Sequence, residues 1–266
     1  MNTHTSSLES VNGLKPYLRN FYERALKDIS IHGSVFIVGG TEYEAIACLE
    51  LGAKEIIVAN PWFSAPWYKK NIVPPNIRLD SSFAENINIE PESIDVVLSC
   101  CAIEHILNIP AVLDKIYDVL KPGCHAFING SPIWTGPCGH HLWFSATDGT
   151  RYFFNGSGDK QPVQNWWHLL FPPEELEKKL SDVIPLDHAN GIVHYIHFSD
   201  NLNRLSPSQI ENMCKKSSLN CLSFRRTIAL PAPKSIANSL RDTYTEEDLG
   251  TSSIDILFQK EPSEQD

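Results

Sequence analysis

The segment ESIDVVLSCCAIEHILNIPAVLDKIYDVLKPGCHAFI, residues 92–128, contains the pattern that decides the fold. Its continuous apolar run over Asp95–Cys101 is typical of a strand that is buried on both faces of a parallel sheet. Apolar residues then recur at helical spacing over Pro110–Leu120, and Lys121-Pro122-Gly123 supplies a cation and two helix breakers at the predicted end of this helix. A second apolar run, His125–Asn129, completes a predicted strand–helix–strand unit.

The same alternation continues on both sides of this unit. Further strands are predicted at Ser34–Val38, Glu55–Ala59, Ile77–Leu79, Cys221–Ala229 and Ile254–Gln259. A leading amphipathic helix is predicted from the helical spacing of Leu14, Tyr17, Leu18, Phe21, Ala25 and Ile29. Further helices are predicted at Glu42–Leu51, from Pro172-Pro173-Glu174-Glu175, and from the capping box at Ser206 to about Ser217. This order predicts an α/β fold with a doubly wound, Rossmann-like, seven-stranded and mostly parallel sheet, whose ligands bind at the carboxyl ends of the strands.

One domain is expected over residues 1–266, because this length and an apolar content of 42% suffice for one large core. Within it, residues 13–130 form the predicted cofactor-binding core, residues 131–205 a cap inserted after the fifth strand, and residues 206–260 the C-terminal helix and strands. The cap is inferred because residues 131–170 hold four of the six tryptophans and three histidines without a regular period. Residues 1–12 and the tail after Lys260 are polar and are expected to be frayed.

Charge and cysteine content narrow the class of partner. The 22 basic and 32 acidic residues give a net charge of −10, which disfavours nucleic acid or an anionic membrane and favours a small molecule or a neutral glycan.

Seven scattered cysteines, an odd number without a CxxC pair, indicate reduced thiols. The sequence contains neither a signal-peptide pattern nor the roughly 18 apolar residues that span a bilayer. We therefore expect a cytoplasmic protein without membrane insertion.

The segment VFIVGGTEYEAI, Val35–Ile46, contains two glycines between a predicted strand and a predicted helix. Residues without a Cβ atom permit a sharp turn, and Gly39 and Gly40 would also let a ligand approach the peptide N–H groups. The pattern is equally compatible with a cofactor site and with a tight turn alone. At the tip of the second strand, Asn60 occupies the position where an acidic residue commonly binds ribose, or it forms an Asn-Pro turn.

Residues 92–128 resemble the second half of the class I S-adenosylmethionine-dependent methyltransferase domain, and the resemblance extends over residues 30–130. The matching elements, in order, are Ser93-Ile94-Asp95, the strand Val96–Ser99, the turn Ile103-Glu104-His105, the helix Val112–Leu120, and Leu120–Gly123. The resemblance implies S-adenosyl-L-methionine as the cofactor. The residues that it places around the cofactor are Val38, Gly39 and Gly40 at the methionine end, Asn60 at the ribose, Ala84 and Glu85 near the adenine, and Cys100 and Ala102 after the fourth strand.

Two features depart from the family pattern. Ile37 stands where the family usually has an acidic residue, and Thr41 and Tyr43 replace later glycines. A second resemblance concerns the C-terminal half of the chain, which is similar to the C-terminal portion of bacterial methyltransferase-domain proteins associated with surface-polysaccharide assembly. The similar segments are residues 131–144, 165–176, 194–219 and 244–260. This second resemblance implies that the aromatic cap belongs to the acceptor side.

Methylation of an alcohol requires a base, and histidine titrates in the useful range. Gly139-His140-His141 follows the fifth strand, so His141 is the first candidate for the base, His140 the second and His105 the third. Alternatively, the cap histidines only form hydrogen bonds within the loop.

No metal site is expected from His140, His141, His168 and Asp148, because adjacent loop histidines diverge and no HxxxH or HExxH helix supports them.

The residues and the resemblance together predict a methyltransferase that uses S-adenosyl-L-methionine and methylates a hydroxyl group of a sugar or glycan precursor. The tryptophans of the cap either stack on sugar faces or only pack and exclude water. Because the departures from the family pattern are real, a catalytically degenerate scaffold remains the alternative. A nicotinamide-dependent dehydrogenase is a third interpretation, which the missing GxGxxG motif and the Leu-Lys-Pro-Gly segment disfavour.

Overall fold

The computed structural model describes residues 16–69, 71–154 and 158–263. The polar segment 1–12 and Leu14 of the predicted leading helix lie outside the described residues, as do residues 264–266 of the polar tail. The described part of that leading helix is α1, Pro16–Ala25, which ends four residues before Ile29, the last residue of the predicted pattern.

Seven strands form the central sheet in the order β3-β2-β1-β4-β5-β9-β8. Their bounds are Gly33–Val38 (β1), Ala53–Ala59 (β2), Ile77–Asp80 (β3), Ile94–Ser99 (β4), Leu120–Gly130 (β5), Asn220–Ile228 (β8) and Thr251–Gln259 (β9). Strands β1 to β5 pair in parallel, whereas β9 is antiparallel to both β5 and β8. The predicted fold class, a Rossmann-like and mostly parallel sheet of seven strands, is confirmed. Its order reverses between β1 and β4, so this is the switch point where ligands bind in such sheets.

The helices of the described residues connect and cover these strands. They are α1, Glu42–Glu50 (α2), Ile109–Val119 (α3), Trp167–Leu170 (α4), Pro173–Ser181 (α5), Leu186–His197 (α6), Pro207–Lys216 (α7), Lys234–Leu240 (α8) and Glu246–Gly250 (α9), with short 3-10 helices at Pro61–Ser64, Ala84–Asn86 and Ile103–His105. No helix in the described part of the chain combines the length and the apolar character that a membrane crossing requires.

Both faces of the sheet are buried, since successive side chains of a strand point to opposite faces. In β1, Phe36 and Val38 pack into one apolar cluster, with α3 and α7, while Val35 and Ile37 pack into a second cluster, with α1 and α2. Ile37 is 1% exposed. Ile37, which stands where the family usually has an acidic residue, therefore belongs to the apolar core of this protein.

The cap has its own hairpin and its own apolar cluster. Strands Trp143–Ser145 (β6) and Arg151–Phe153 (β7) pair with each other in a separate two-stranded sheet, and Tyr152 of β7 also forms an isolated bridge with Lys160. The cluster includes Leu142, Tyr152 and Leu176, together with Ile192 of α6. These described cap residues thus pack around an aromatic and apolar centre of their own, while the bounds 131–205 of the cap stay a prediction.

Two features of the C-terminal half differ from the sequence interpretation. The helix α6 was not predicted, although its buried residues His188, Ala189, Ile192, Val193 and Ile196 follow a helical period. Arg225 and Arg226 are adjacent cations in the sequence, and such a pair is expected to form a solvated face, but this is wrong for Arg226. Its side chain is 12% exposed and bonds to Asp248, which is 4% exposed, because α7 and α9 close over it.

Candidate active site

The turn after β1 adopts a conformation that favours glycine. Gly39 has a φ of +75°, in the left-handed region that residues with a Cβ atom rarely adopt. A Cβ atom on Gly39 would lie 2.5 Å from the Cβ atom of Ala102, and one on Gly40 would lie 2.5 Å from Ile37 Cγ2. Both glycines are therefore required by close packing of the protein itself.

Asn60 closes this turn from the end of β2. Its Nδ2 atom donates to the carbonyl of Gly40 at 2.9 Å and to that of Gly39 at 3.2 Å, and its Oδ1 atom accepts from the Trp62 amide at 3.0 Å. The residue is 3% exposed. The Asn-Pro turn of the sequence interpretation is thus present, and Asn60 also holds the glycine turn. Its contact with a ribose stays a prediction.

Thr41, which replaces a family glycine, begins α2. Its hydroxyl accepts from the Tyr43 amide, and the Glu44 carboxylate accepts from the Thr41 amide at 2.9 Å and from the Thr41 hydroxyl. This is a capping box, which satisfies the free N–H groups at a helix start. Burial raises the pKa of Glu44 above its ordinary value, against the opposing hydrogen bonds from Thr41. The departure at Thr41 therefore has a structural role.

The remaining predicted cofactor residues lie at or just beyond the same edge of the sheet. Ala84 is buried and Glu85 half-buried in the short helix after β3, and Cys100 and Ala102 are buried after β4. Ser99 at the end of β4 donates from its hydroxyl to the Val38 carbonyl at 3.1 Å, which ties β4 to the start of the glycine turn. The small apolar side chains of Ala84 and Ala102 at this edge are of the kind that commonly lines binding sites for flat, apolar groups such as adenine.

Two of the three candidate bases, His105 and His141, are 36 residues apart in the sequence but adjacent in the structure. The ring centroids of His105 and His141 are 4.7 Å apart, and the carboxylate of Glu104 lies beside them. His141 has a φ of +47°, and its carbonyl accepts from the Tyr195 hydroxyl of α6 at 3.1 Å. Glu104 is visible in the sequence only as part of a motif, and its position directly before His105 is the signal that it belongs to the site.

The loop after α6 fixes the turn that carries Glu104 and His105. The Asn201 carbonyl bonds to His105 Nδ1. The Asn203 amide donates to the Glu104 carbonyl at 2.9 Å, and Asn203 Nδ2 donates to the Ile103 carbonyl at 2.7 Å. The end of the cap thus positions side chains that the central sheet supplies.

His140 lies in a different environment from its neighbour. It is fully buried, its Nδ1 atom accepts from the Leu142 amide at 3.2 Å, and its ring centroid is 5.5 Å from that of His168. Burial lowers the pKa of His105 and of His140, and lowers that of His141 to about 3. All three imidazoles are therefore uncharged at neutral pH. Asp148 is exposed and contacts Thr150 and His188, away from His140 and His141.

The tryptophans of the cap are unequally exposed. Trp134 and Trp166 are buried, whereas Trp143 is 54% exposed and stacks on Phe153 with ring centroids 3.9 Å apart. Outside the cap, Trp62 and Trp67 are also exposed, and the Trp62 ring lies 6.2 Å from the His105 ring. Neither residue was predicted from the sequence, because the turn after β2 places Trp62 beside His105, and the Trp67 ring lies 5.9 Å from the Trp62 ring.

A surface pocket of about 490 Å³ lies elsewhere, between the cap and α8, and its lining includes Gln164, Trp167 and Ile236. None of the predicted site residues lines it.

Comparison with known proteins agrees with this architecture. Residues 39–128 match a family model described as a methyltransferase domain. Among solved structures, the chain is similar to an S-adenosylmethionine-dependent methyltransferase from Mesorhizobium loti, with 12% identity, coverage of 94% of this chain and 99% of that one, and a TM-score of 0.51. It is also similar to a chain in a Haloferax volcanii complex between the Trm112 methyltransferase activator and a methyltransferase, with 11% identity, 98% coverage of both chains and a TM-score of 0.50.

A comparison with curated proteins gives no match. The fold is the Rossmann-like methyltransferase fold. The domain match begins at Gly39 and ends within β5, so it spans the glycine turn and supports a methyltransferase domain in this part of the chain.

Proposed function

We propose that this protein transfers a methyl group from S-adenosyl-L-methionine to a hydroxyl group of a sugar or glycan precursor. The observation that carries the proposal is the meeting of His105 and His141 at the carboxyl edge of the sheet, beside the turn where the methyltransferase-domain match begins. A hydroxyl acceptor needs a group that takes its proton, and an uncharged imidazole has the lone pair for it. Burial lowers the pKa of His141 to about 3, so the bound acceptor has to offset this effect for His141 to act as the base.

The roles of the residues follow from their places at this edge. When bound, S-adenosyl-L-methionine supplies an electrophilic methyl group, whose bond to sulfur breaks as the bond to the acceptor oxygen forms. Gly39 and Gly40 present bare backbone to the methionine end, while Ala84, Cys100 and Ala102 provide apolar walls that exclude water. A ring nitrogen of His141 receives the proton of the acceptor hydroxyl and passes it to solvent. His105 packs against His141 and keeps its ring in place.

Three features support a sugar as the acceptor. The exposed rings of Trp62, Trp67 and Trp143 offer flat apolar surfaces on which a sugar face can stack. The net charge of −10 favours a neutral acceptor over a nucleic acid. The resemblance of the cap to proteins of surface-polysaccharide assembly supports the same class of acceptor and the assignment to polysaccharide biosynthesis. The seven free cysteines support a cytoplasmic location.

A second candidate function is a degenerate scaffold that keeps the fold without turnover. The observation that favours it is that Thr41, a departure from the family pattern, and Asn60, at the predicted ribose position, both form hydrogen bonds within the protein. Their polar groups are thus used for structure.

Calorimetric titration with S-adenosyl-L-methionine and with S-adenosylhomocysteine tests whether the protein binds the cofactor. The proposal predicts saturable binding of both ligands, which Gly39→Val abolishes because a Cβ atom at this turn displaces the neighbouring backbone. If neither ligand gives heat at millimolar concentration, the degenerate scaffold is the function that remains.

The acceptor side is tested separately with His141→Ala and radiolabelled methyl transfer to sugar nucleotides. We expect turnover to fall strongly while cofactor affinity stays near that of the wild type, because His141 belongs to the acceptor side. The matched control is His194→Ala, an exposed histidine of α6, which should leave turnover unchanged. Equal rates for all three proteins would remove His141 from the mechanism.

A further inference from the structure

Three side chains of metal-binding type converge at the edge of the candidate site. Glu104, His105 and His141 each offer one ligand atom, and these atoms all lie within 4.8 Å of one another. Among the residues that the structure describes, this is the one group of three or more such side chains with this spacing. Two come from the turn after β4 and the third from the loop after β5, so three-dimensional packing assembles the group.

Two buried polar atoms of the group have no hydrogen-bond partner in the described chain. Glu104 is 3% exposed, and its Oε1 atom accepts from the Ser131 amide at 3.1 Å, while its Oε2 atom is buried and finds no hydrogen-bond partner within the described chain. His141 Nδ1 is likewise buried and unpartnered among these residues. Burying a polar atom without a partner costs free energy, and nearly all such atoms in native proteins are satisfied by protein, water or an ion.

The third member is prepared for coordination by its hydrogen bond. His105 Nδ1 donates to the Asn201 carbonyl, which assigns the proton to Nδ1 and leaves the lone pair on Nε2. Metal-binding histidines almost always donate their other ring N–H to a carbonyl or carboxylate in this way, since the bond fixes the tautomer and the ring orientation. The contact therefore resembles the second shell of a metal ligand.

We propose that Glu104, His105 and His141 bind one divalent transition-metal ion. Two neutral imidazoles and one carboxylate suit Zn²⁺, Co²⁺ or Fe²⁺ better than Mg²⁺, which prefers oxygen ligands alone. Three protein ligands leave at least one coordination position open, as in catalytic zinc sites. A tetrahedral ion with bonds of about 2.1 Å spaces its ligands about 3.4 Å apart, so the three side chains draw together on binding.

The open position gives the site a role in the proposed function. An acceptor hydroxyl bound to the ion would lose its proton more readily, because a divalent cation stabilises the alkoxide. In that case His141 acts as a ligand of the ion, and the proton leaves to solvent. This role rests on the proposed methyl transfer, whereas the metal site rests only on the geometry of the three side chains.

Metal binding can be measured without cofactor or acceptor. The full chain, stripped with a chelator, is titrated with Co²⁺ by visible absorption and calorimetry, and the bound Co²⁺ is then displaced with Zn²⁺. We expect one equivalent to bind, with a spectrum that lacks the near-ultraviolet thiolate-to-Co²⁺ absorption that any of the seven cysteines would give. Failure to bind one equivalent, or a thiolate spectrum, would overturn the site.

Variants identify the ligands. Glu104→Gln and His105→Asn should each weaken Co²⁺ binding by more than about 100-fold, since losing a second-shell partner alone commonly costs 10- to 100-fold. The controls are His168→Asn, a buried histidine with its own unpartnered Nδ1 in the described chain, and the exposed His194→Asn. Both controls should bind as the wild type does. Wild-type affinity in both ligand variants would overturn the proposal.

Circular dichroism and thermal melting establish that each variant is folded. Should a ligand variant fail to fold, X-ray absorption of the Zn²⁺-loaded wild type decides the matter: two imidazoles with oxygen ligands support the site, and sulfur ligands overturn it. Because no step uses S-adenosyl-L-methionine, a failure of this site is distinguishable from a failure of the proposed methyl transfer.

Discussion

The side-chain amide of Asn60 donates a hydrogen bond of 2.9 Å to the carbonyl of Gly40, and this contact ties the end of β2 to the turn after β1. The two residues are neighbours because β1 and β2 pair in parallel with Val38 beside Ala59. The turn that faces the cofactor region is therefore held by a side chain from the adjacent strand. An amide can do this because it offers two N–H donors.

Asn60→Asp should destabilise the protein. The carboxylate would lose both donated bonds and would point a buried negative charge at the carbonyls of Gly39 and Gly40. Leaving such groups unsatisfied costs about 1–3 kcal/mol, and more where a charge is buried. Urea unfolding monitored by circular dichroism measures the loss. The control is Asn76→Asp, where an exposed amide donates to the Lys54 carbonyl, and this change should cost much less. Equal stability of the two variants would contradict a structural role for Asn60.

Gly39→Ala should be more destabilising than Gly123→Ala. Both glycines have positive φ, +75° and +79°, so both substitutions carry a left-handed strain of about 1–2 kcal/mol. Only at Gly39 does the new Cβ atom meet another atom, Ala102 Cβ at 2.5 Å, and overpacking adds about 1–3 kcal/mol. Thermal melting of both variants checks the difference.

The clash at Gly39 can be relieved from the other side. Ala102→Gly removes the atom that the new Cβ would meet, so the double variant Gly39→Ala/Ala102→Gly should be more stable than the sum of the single changes predicts. A double-mutant cycle measures this coupling. Strict additivity would show that the two positions do not touch.

Arg226→Met should lower the free energy of unfolding by about 3–5 kcal/mol, because it leaves the buried Asp248 without its cation. Arg226 Nη1 lies 3.0 Å from Asp248 Oδ1, and Arg226 Nη2 lies 2.8 Å from Glu211 Oε2. The adjacent Arg225 is the control, since its pair with Asp28 is exposed and should contribute less than about 1 kcal/mol. Chemical denaturation of Arg226→Met and Arg225→Met gives both values, and similar losses would refute the assignment.

The Asp95 carboxylate should make stability depend on pH in the acid range. Burial raises its pKa, but hydrogen bonds from Lys121 at 2.6 Å and from the Ser34 amide at 2.8 Å outweigh burial and lower the pKa below its ordinary value. A depressed pKa contributes stability above the unfolded-state pKa, about 3.9. That stability is lost as the pH falls through the folded-state pKa.

The difference in unfolding free energy between the wild type and Asp95→Asn should therefore shrink as the solution is acidified from pH 7. Asp114→Asn, at an exposed position of α3, is the matched control and should show little difference at any pH. Urea titrations at a series of pH values provide the test. A gap between wild type and Asp95→Asn that is constant with pH would mean that the ion pair is not formed.

The strand and helix pattern could be predicted because it is a property of neighbours along the chain. The apolar run predicted at Asp95–Cys101 is β4, Ile94–Ser99, and the helix predicted at Pro110–Leu120 is α3, Ile109–Val119. The capping box predicted at Ser206 is present as well. These patterns fix the class of fold because apolar spacing decides which faces are buried.

The elements of the cap were less accessible to prediction. The strands β6 and β7 have three residues each, too few to show an alternation. The helix α6 contains Gly191, which lowers helix propensity, yet a Cβ atom there would lie 2.4 Å from the Phe144 ring. Tertiary packing therefore explains a residue that local propensity disfavours.

The sequence by itself determined the parallel sheet, its glycine turn and the types of residue at its carboxyl edge, since these depend on local spacing. Only the tertiary structure decided which side chains meet there. His141 reaches His105 through a left-handed residue in a long loop, and Asn60 turns toward the glycines although the pattern of the family suggested a ribose contact. Such encounters depend on loop conformation and on packing between distant segments, which no local period of the sequence specifies.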